Sequence, residues 1–228
     1  MAQKKKNSNY VTEKNIAKAT QKEEQKKKEK QARTTKLALI WTGGVLAVLA
    51  IIFLIMLAAG VFKYYPKATK HLNVTLDDGS TIHVELYGED APITAKHFED
   101  LCTSGYFNGK GIHTLLDGML YMGSTYKGSL EDGIKGEFSD NGVENKIPMI
   151  KGTLCMARAD QNDTAFGQFF VLTEDNKNIE GKYAAFGAFS DPDAIDTLLA
   201  KLTVSEDGTV TGGPKISSIT SHGEEDHH

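Results

Sequence analysis

Arginine is nearly absent from this chain. Among 228 residues only Arg33 and Arg158 carry a guanidinium, so a site that needs a forked, permanently charged donor has two candidates. Cysteine is as scarce. Cys102 and Cys155 are the only two, and neither has a CxxC partner, which gives no support to a dithiol redox motif. Neither a serine-nucleophile motif nor a glycine-rich phosphate loop is present after residue 70, so hydrolase and nucleotide chemistry also lack support. Charge is missing altogether from LALIWTGGVLAVLAIIFLIMLAAGVF, which runs from Leu37 to Phe62.

That uncharged run divides the chain. Residues 1–36 hold twelve Lys/Arg and four Glu, a net charge of +8, whereas residues 63–228 hold fourteen and twenty-six, a net of −12. As a helix the run would measure roughly 39 Å at about 1.5 Å per residue, enough to cross a hydrocarbon core of about 30 Å with some tilt. A cleaved secretory signal is the competing reading. Such signals carry shorter apolar regions, of about 7–15 residues, so a retained transmembrane helix over 37–62 is the expectation. The positive-inside tendency then keeps residues 1–36 in the cytoplasm and places the acidic part outside the cell membrane. Trp41, Tyr64 and Tyr65 flank the span as interfacial rings. The basic arm lacks an apolar face. It reads as disordered with transient helix, attracted to anionic headgroups of the bilayer and not to nucleic acid.

Residues 63–70 read as a linker and 71–221 as the folded domain. Leu72–Leu76 and Thr81–Tyr87 alternate around the Asp77-Asp78-Gly79-Ser80 turn as a hairpin. A helix is expected near Thr94, with Ala95, Phe98, Leu101 and Cys102 on its buried face and Gly105 beyond its end. Strand-like runs follow at 112–116, 119–122, 153–157, 169–173 and 183–187, with a long loop at 123–145. Asp191 and Pro192 open a second helix buried through Ile195, Leu198, Leu199 and Leu202, and Ile216–Ile219 closes the set. The pattern alone gives a mostly β domain with two helices. Both cysteines fall on core faces, where the thiol behaves as a small hydrophobe. Residues 222–228 form an acidic tail in which His222, His227 and His228 could hold a metal weakly, but a solvated tail is the expectation.

Four segments in order carry a more specific signal: LYGEDAPITAKHFEDL, IHTLLDGMLYMGS, IKGEFSDNG, and GTLCMARADQNDTAFGQFFVLTEDNKNIEGKYAAFG. Their succession of Met-Ala-Arg, Gln-Phe-Phe, Glu-Gly-Lys and Phe-Gly resembles the cyclophilin family of peptidyl-prolyl cis-trans isomerases, over roughly residues 71–220. The resemblance implies a closed eight-stranded β-barrel with two capping helices, a monomeric domain, no cofactor or metal, and proline-containing polypeptides as partners. Carried over residue by residue, it places His113, Thr114 and Gln168 in the catalytic positions. It lines the peptide groove with Met119, Leu120, Met122, Ala157, Arg158, Phe170, Ile179 and Tyr183. Met119, Leu120, Ile179 and Tyr183 replace the family's Phe, Met, Leu and His, and Met122 replaces its second Gln. Asn178 stands where some members carry a Trp that contacts cyclosporin.

Thr114 is the consequential departure, because it occupies the position of the family's catalytic Arg. An X–Pro bond turns over a barrier near 20 kcal/mol, and the catalyst must favour the twisted state in which the prolyl nitrogen becomes an acceptor. A threonine hydroxyl is a short neutral donor there. The sequence therefore supports an isomerase of weakened activity that assists exported proteins, with a non-catalytic proline-peptide-binding or chaperone module as the alternative. Of the two arginines, Arg158 is the one that could reach the groove and replace part of the missing charge.

Overall fold

The computed structural model describes residues 2–58 and 64–221. It divides into two units, residues 1–63 and 64–228. The end of the expected span at 59–62, Lys63, and the histidines of the C-terminal tail lie outside the described residues.

The first unit is one helix, α1, Ala2–Ala58. The sequence reading expects a disordered arm before the span, whereas α1 runs through both. Its arm is rich in Lys, Glu, Gln and Ala, all strong helix formers. The helix is long and apolar enough to cross a membrane by length and composition, and Leu39, Ile40, Trp41, Leu46 and Leu54 on it are exposed.

The second unit is a curled sheet with two helices. Strands β1 (Lys70–Leu76) and β2 (Thr81–Leu86) form the expected hairpin, and Ile82, Val84 and Leu86 are buried as the alternation requires. At its turn Leu76 N donates to Ser80 O at 2.8 Å, and Gly79 takes a φ of +83° that disfavours any side chain. Helix α2 (Pro92–Thr103) follows, then β3 (Ile112–Leu116), β4 (Met119–Gly123), β5 (Thr153–Met156), β6 (Gln168–Leu172) and β7 (Ala185–Phe189). Helix α3 (Ala194–Leu199), a short hairpin β8 (Thr203–Val204) and β9 (Val210–Thr211), and β10 (Ile216–Ser221) complete the chain. The second helix starts two residues later than expected. Asp191 instead accepts from Asp193 N at 3.0 Å and shapes the turn before it.

The strands order as β10-β1-β2-β7-β5-β6-β4-β3, and this corrects one expectation. The barrel is not closed by a ladder. Its edge strands meet only at an isolated bridge, Gly111 with Lys215, beside Gly109 N to Ile216 O at 2.7 Å and Ile216 N to Lys110 O at 2.8 Å. The free edge of β3 is taken instead by the loop of the β8–β9 hairpin, where Leu115 N donates to Gly208 O at 2.8 Å and Thr114 bridges Thr209. An edge strand of five residues cannot serve both neighbours along its length.

Phe98 docks α2 on the sheet. Its ring meets Phe107, Phe169 and Phe186 at 5.1, 5.1 and 4.9 Å between centroids, an aromatic cluster of the kind that dominates core energetics. The start of α2 has no local cap, because the N-cap residue is Ala91. Glu137 supplies one from the long loop. Its carboxylate accepts from Ile93 N at 3.0 Å, Thr94 N at 2.7 Å and Thr94 Oγ1 at 2.7 Å, and the residue is only 2% exposed. Cys102 and Cys155 are free and buried, as read from the sequence. Burial pushes the Cys102 thiol up to about 12 and the Cys155 thiol higher still.

Candidate active site

The site lies on the outer face of the sheet where β3, β4 and β6 run side by side. Registers decide which side chains reach it. Tyr121 pairs with Phe170, Gly123 with Gln168, and Cys155 with Phe170. Thr114 pairs with Tyr121, and a bulge between Ile112 and Thr114 lets His113 share their face. Leu120 and Met122 alternate to the opposite face. Met122 lines a small internal void with Val74, Ile82, Phe98, Leu154 and Phe169, and Leu120 is fully buried opposite Val171. The structure therefore brings His113, Thr114, Met119, Gln168, Phe170, Ile179 and Tyr183 to one region. It turns Leu120 and Met122 into the barrel.

His113 is the hub of the polar part. Its Nδ1 lies 3.0 Å from Thr114 Oγ1, and its Nε2 lies 3.3 Å from Gln168 Nε2. Burial pulls the imidazole below its usual pKa, with the Ser124 backbone acting more weakly the other way. Gln168 is 3% exposed, and its Oε1 is a buried atom without a partner among the described residues. Turning the amide over would only exchange which end is left unpaired, because His113 meets one end alone. A buried unpaired amide group costs about 1–3 kcal/mol, which a bound peptide could recover. Across from Gln168 stands Gly123, at φ +82°, where a Cβ would lie 2.9 Å from Gly167 O. No second glutamine-like side chain can sit there without strain.

The apolar part is Met119, Phe170, Ile179 and the rings of Tyr121 and Tyr183. A 3-10 turn, Lys177–Ile179, presents Ile179, and Asn176 caps it by accepting from Asn178 N at 3.2 Å. Met119 and Ile179 open onto a cleft of about 710 Å³ rimmed by Asp117, Glu174, Asp175, Lys177 and Lys182. Ala157 N donates to Gln168 O at 2.9 Å and so continues the β5–β6 pairing.

Backbone carbonyls hold the Arg158 side chain. Its Nε donates to Lys182 O at 3.1 Å, and one terminal nitrogen donates to Ala159 O and Asp160 O, each at 3.0 Å. The guanidinium lies 5.2 Å from the Phe138 ring centroid and 5.3 Å from that of Tyr183. Tyr183 in turn meets Phe170 edge-on at 5.2 Å and 90°. Arg158 thus fastens the 158–160 segment to Lys182 and packs against the Tyr183 ring, as a planar cation over aromatic faces can. Arg158→Ala is expected to loosen Tyr183 and to raise KM for a proline peptide by roughly three- to tenfold, with kcat little changed. A fall in kcat alone would instead assign the guanidinium to the twisted state.

Tyr121 is the residue that sequence reasoning passed over. In Met119-Leu120-Tyr121-Met122 every side chain is apolar or amphipathic, so no alternation marks the outward face. The only available signal was that a tyrosine places its hydroxyl at a wet boundary more readily than a leucine does.

The fold agrees with known proteins. Residues 71–221 match the family model for cyclophilin type peptidyl-prolyl cis-trans isomerase/CLD. A peptidyl-prolyl cis-trans isomerase of Acinetobacter baylyi is 29% identical over 140 residues, covering 59% of this chain and 74% of that protein. Peptidyl-prolyl cis-trans isomerase B of Bacillus subtilis is 34% identical over 116 residues, covering 49% of this chain and 78% of the relative. A cyclophilin type isomerase of Cryptosporidium parvum, crystallised in the presence of the dipeptide Ala-Pro, superposes with a TM-score of 0.58 at 20% identity, over 67% of this chain and 99% of that one. By the family match over its whole folded domain, this chain belongs to the cyclophilin-type peptidyl-prolyl cis-trans isomerases.

Proposed function

We propose that this chain is a membrane-anchored cyclophilin that isomerises X–Pro bonds in exported polypeptides. Its domain lies outside the cell membrane and its basic arm in the cytoplasm. The observation that supports substrate binding best is the Gln168 amide, buried with one end unpaired beside His113. A peptide N–H or carbonyl arriving there would complete it. The Ala-Pro dipeptide used with the Cryptosporidium parvum cyclophilin fits the same kind of ligand. Exported chains emerge unfolded, and their X–Pro bonds isomerise over tens to hundreds of seconds. An anchored catalyst would meet them early. The uncharged run within α1 supports the anchor, and its flanking charges support the orientation.

With Thr114 in place of a guanidinium, catalysis rests on apolar packing and neutral donors, so the rate should fall below that of arginine-bearing members. A second reading is favoured by the same residue: a groove that holds proline segments with little turnover. Magnetisation exchange between the cis and trans forms of an Ala-Pro peptide, measured with the full chain in detergent micelles, separates the two. Exchange above the uncatalysed rate is expected. Saturable binding without exchange would favour the holding module, and no binding at all would overturn both. For the orientation, a membrane-impermeant amine reagent applied to intact cells should label lysines after residue 63 and spare those of the arm. The reverse pattern would invert the topology.

A further inference from the structure

We infer that a substrate's proline ring is received on Tyr121, with Tyr183 beside it, and not directly on Phe170. This rests on the reading of the groove as a proline-peptide site. Phe170, the aromatic residue that matches the family motif in sequence, is fully buried. Two rings cover it: Tyr121 at 5.2 Å and 49°, and Tyr183 at 5.2 Å and 90°. Both covering rings are partly exposed. A ring arriving from solvent therefore meets the two tyrosines first. To touch Phe170 it would have to push one of them aside and break its ring contact.

The surroundings of Tyr121 suit that role. It stands directly across from Thr114, and its ring centroid is 6.4 Å from that of His113. One flank of the tyrosine thus faces the polar groups, while Met119 and Phe170 complete the other. Its hydroxyl donates to Met119 Sδ at 3.6 Å, a weak acceptor that a peptide carbonyl would outcompete. Burial, with smaller contributions from Tyr183, Asp117 and Cys155, pushes the phenol up to about 12, so it stays a neutral donor across the working pH range. The C–H bonds of a proline ring next to its amide are polarised, and they pack well on the negative face of an aromatic ring. Tyr121 thus supplies both a platform and a hydrogen-bond donor in a groove short of donors. It deepens the proposed function by naming the residue that selects proline.

The test uses the full chain in detergent micelles and an Ala-Pro peptide. Nuclear Overhauser contacts are expected from the prolyl ring protons to the Tyr121 ring. Tyr121→Ala should weaken peptide binding by about tenfold or more, while Tyr121→Phe, which keeps the ring, should bind within about threefold and lose mainly kcat. Equal or tighter binding by Tyr121→Ala would overturn the inference, because the ring would then be a cover over Phe170. Should that variant fail to fold, the unmodified chain decides: contacts to Phe170 without contacts to Tyr121 overturn it as well. Absence of saturable binding to the unmodified chain would instead defeat the proline-peptide reading itself, and the inference with it.

Discussion

Thr114→Arg is expected to raise kcat for an Ala-Pro peptide by about ten- to 150-fold. A charge-assisted hydrogen bond contributes roughly 1.5–3 kcal/mol, and each 1.36 kcal/mol is about tenfold in rate. The gain should appear in kcat with KM nearly unchanged. The prolyl nitrogen accepts a hydrogen bond only once the amide is twisted, so the new donor acts in the transition state alone. The position allows it. Thr114 is half-buried at the rim, across from Tyr121, so a longer side chain there could reach outward beside that ring to a bound peptide. The cost is the contact between Thr114 Oγ1 and His113 Nδ1 at 3.0 Å, a neutral hydrogen bond of about 0.5–1.5 kcal/mol. Exchange spectroscopy at saturating peptide measures the change. An unchanged kcat would mean that the neutral donors already present do all that the groove can do, and that Thr114 is not the deficit.

Glu137→Ala should produce the largest loss of stability, about 3–5 kcal/mol. Three donors converge on that carboxylate: Ile93 N, Thr94 N and Thr94 Oγ1. Thr94 is fully buried, so water cannot readily replace the lost acceptor. Ala91 cannot cap the helix, and a negative charge at a helix N-terminus contributes further through the backbone dipoles. For a domain of this size 1 kcal/mol moves Tm by about 2–4 °C, so a fall of roughly 6–20 °C is expected by calorimetry of the full chain in micelles. Glu137→Gln, which keeps one acceptor oxygen, should fall between. A loss below about 1 kcal/mol for the alanine variant would show that the orphaned donors find other partners. The consequence reaches the site, because α2 carries Phe98 against Phe169, the neighbour of Gln168 and Phe170.

Much of this architecture was legible in the chain. The β1–β2 hairpin follows from strict alternation around a turn sequence, α2 from an apolar stripe ended by Gly105, and the buried thiols from cysteines set in apolar runs of α2 and β5. The uncharged run of α1 needed only a count. The order of four motifs pointed to the family, and its proposed site residues His113, Thr114, Gln168 and Phe170 fall in one region of the sheet. These signals are local, or they come from residues whose type is demanding.

What the sequence could not determine depends on distant partners. Ala91 and Pro92 mark a helix start without a cap, and nothing nearby indicates that Glu137, 44 residues from Ile93, will provide it. Nothing near Arg158 in the chain indicates that carbonyls of Ala159, Asp160 and Lys182 will hold its guanidinium against Tyr183. The β8–β9 hairpin has almost no apolar pattern, because its role is to cover the edge of β3, and the barrel stays open for that reason. Tyr121 is the sharpest case. Side chains alternate by two along a strand, so a shift of one position exchanges the inner and outer faces. In a run where Met119, Leu120, Tyr121 and Met122 could each sit on either side, composition leaves that choice open. Pairing of β4 with β6 and the bulge in β3 make it, turning Leu120 and Met122 to the core and Tyr121 to the groove.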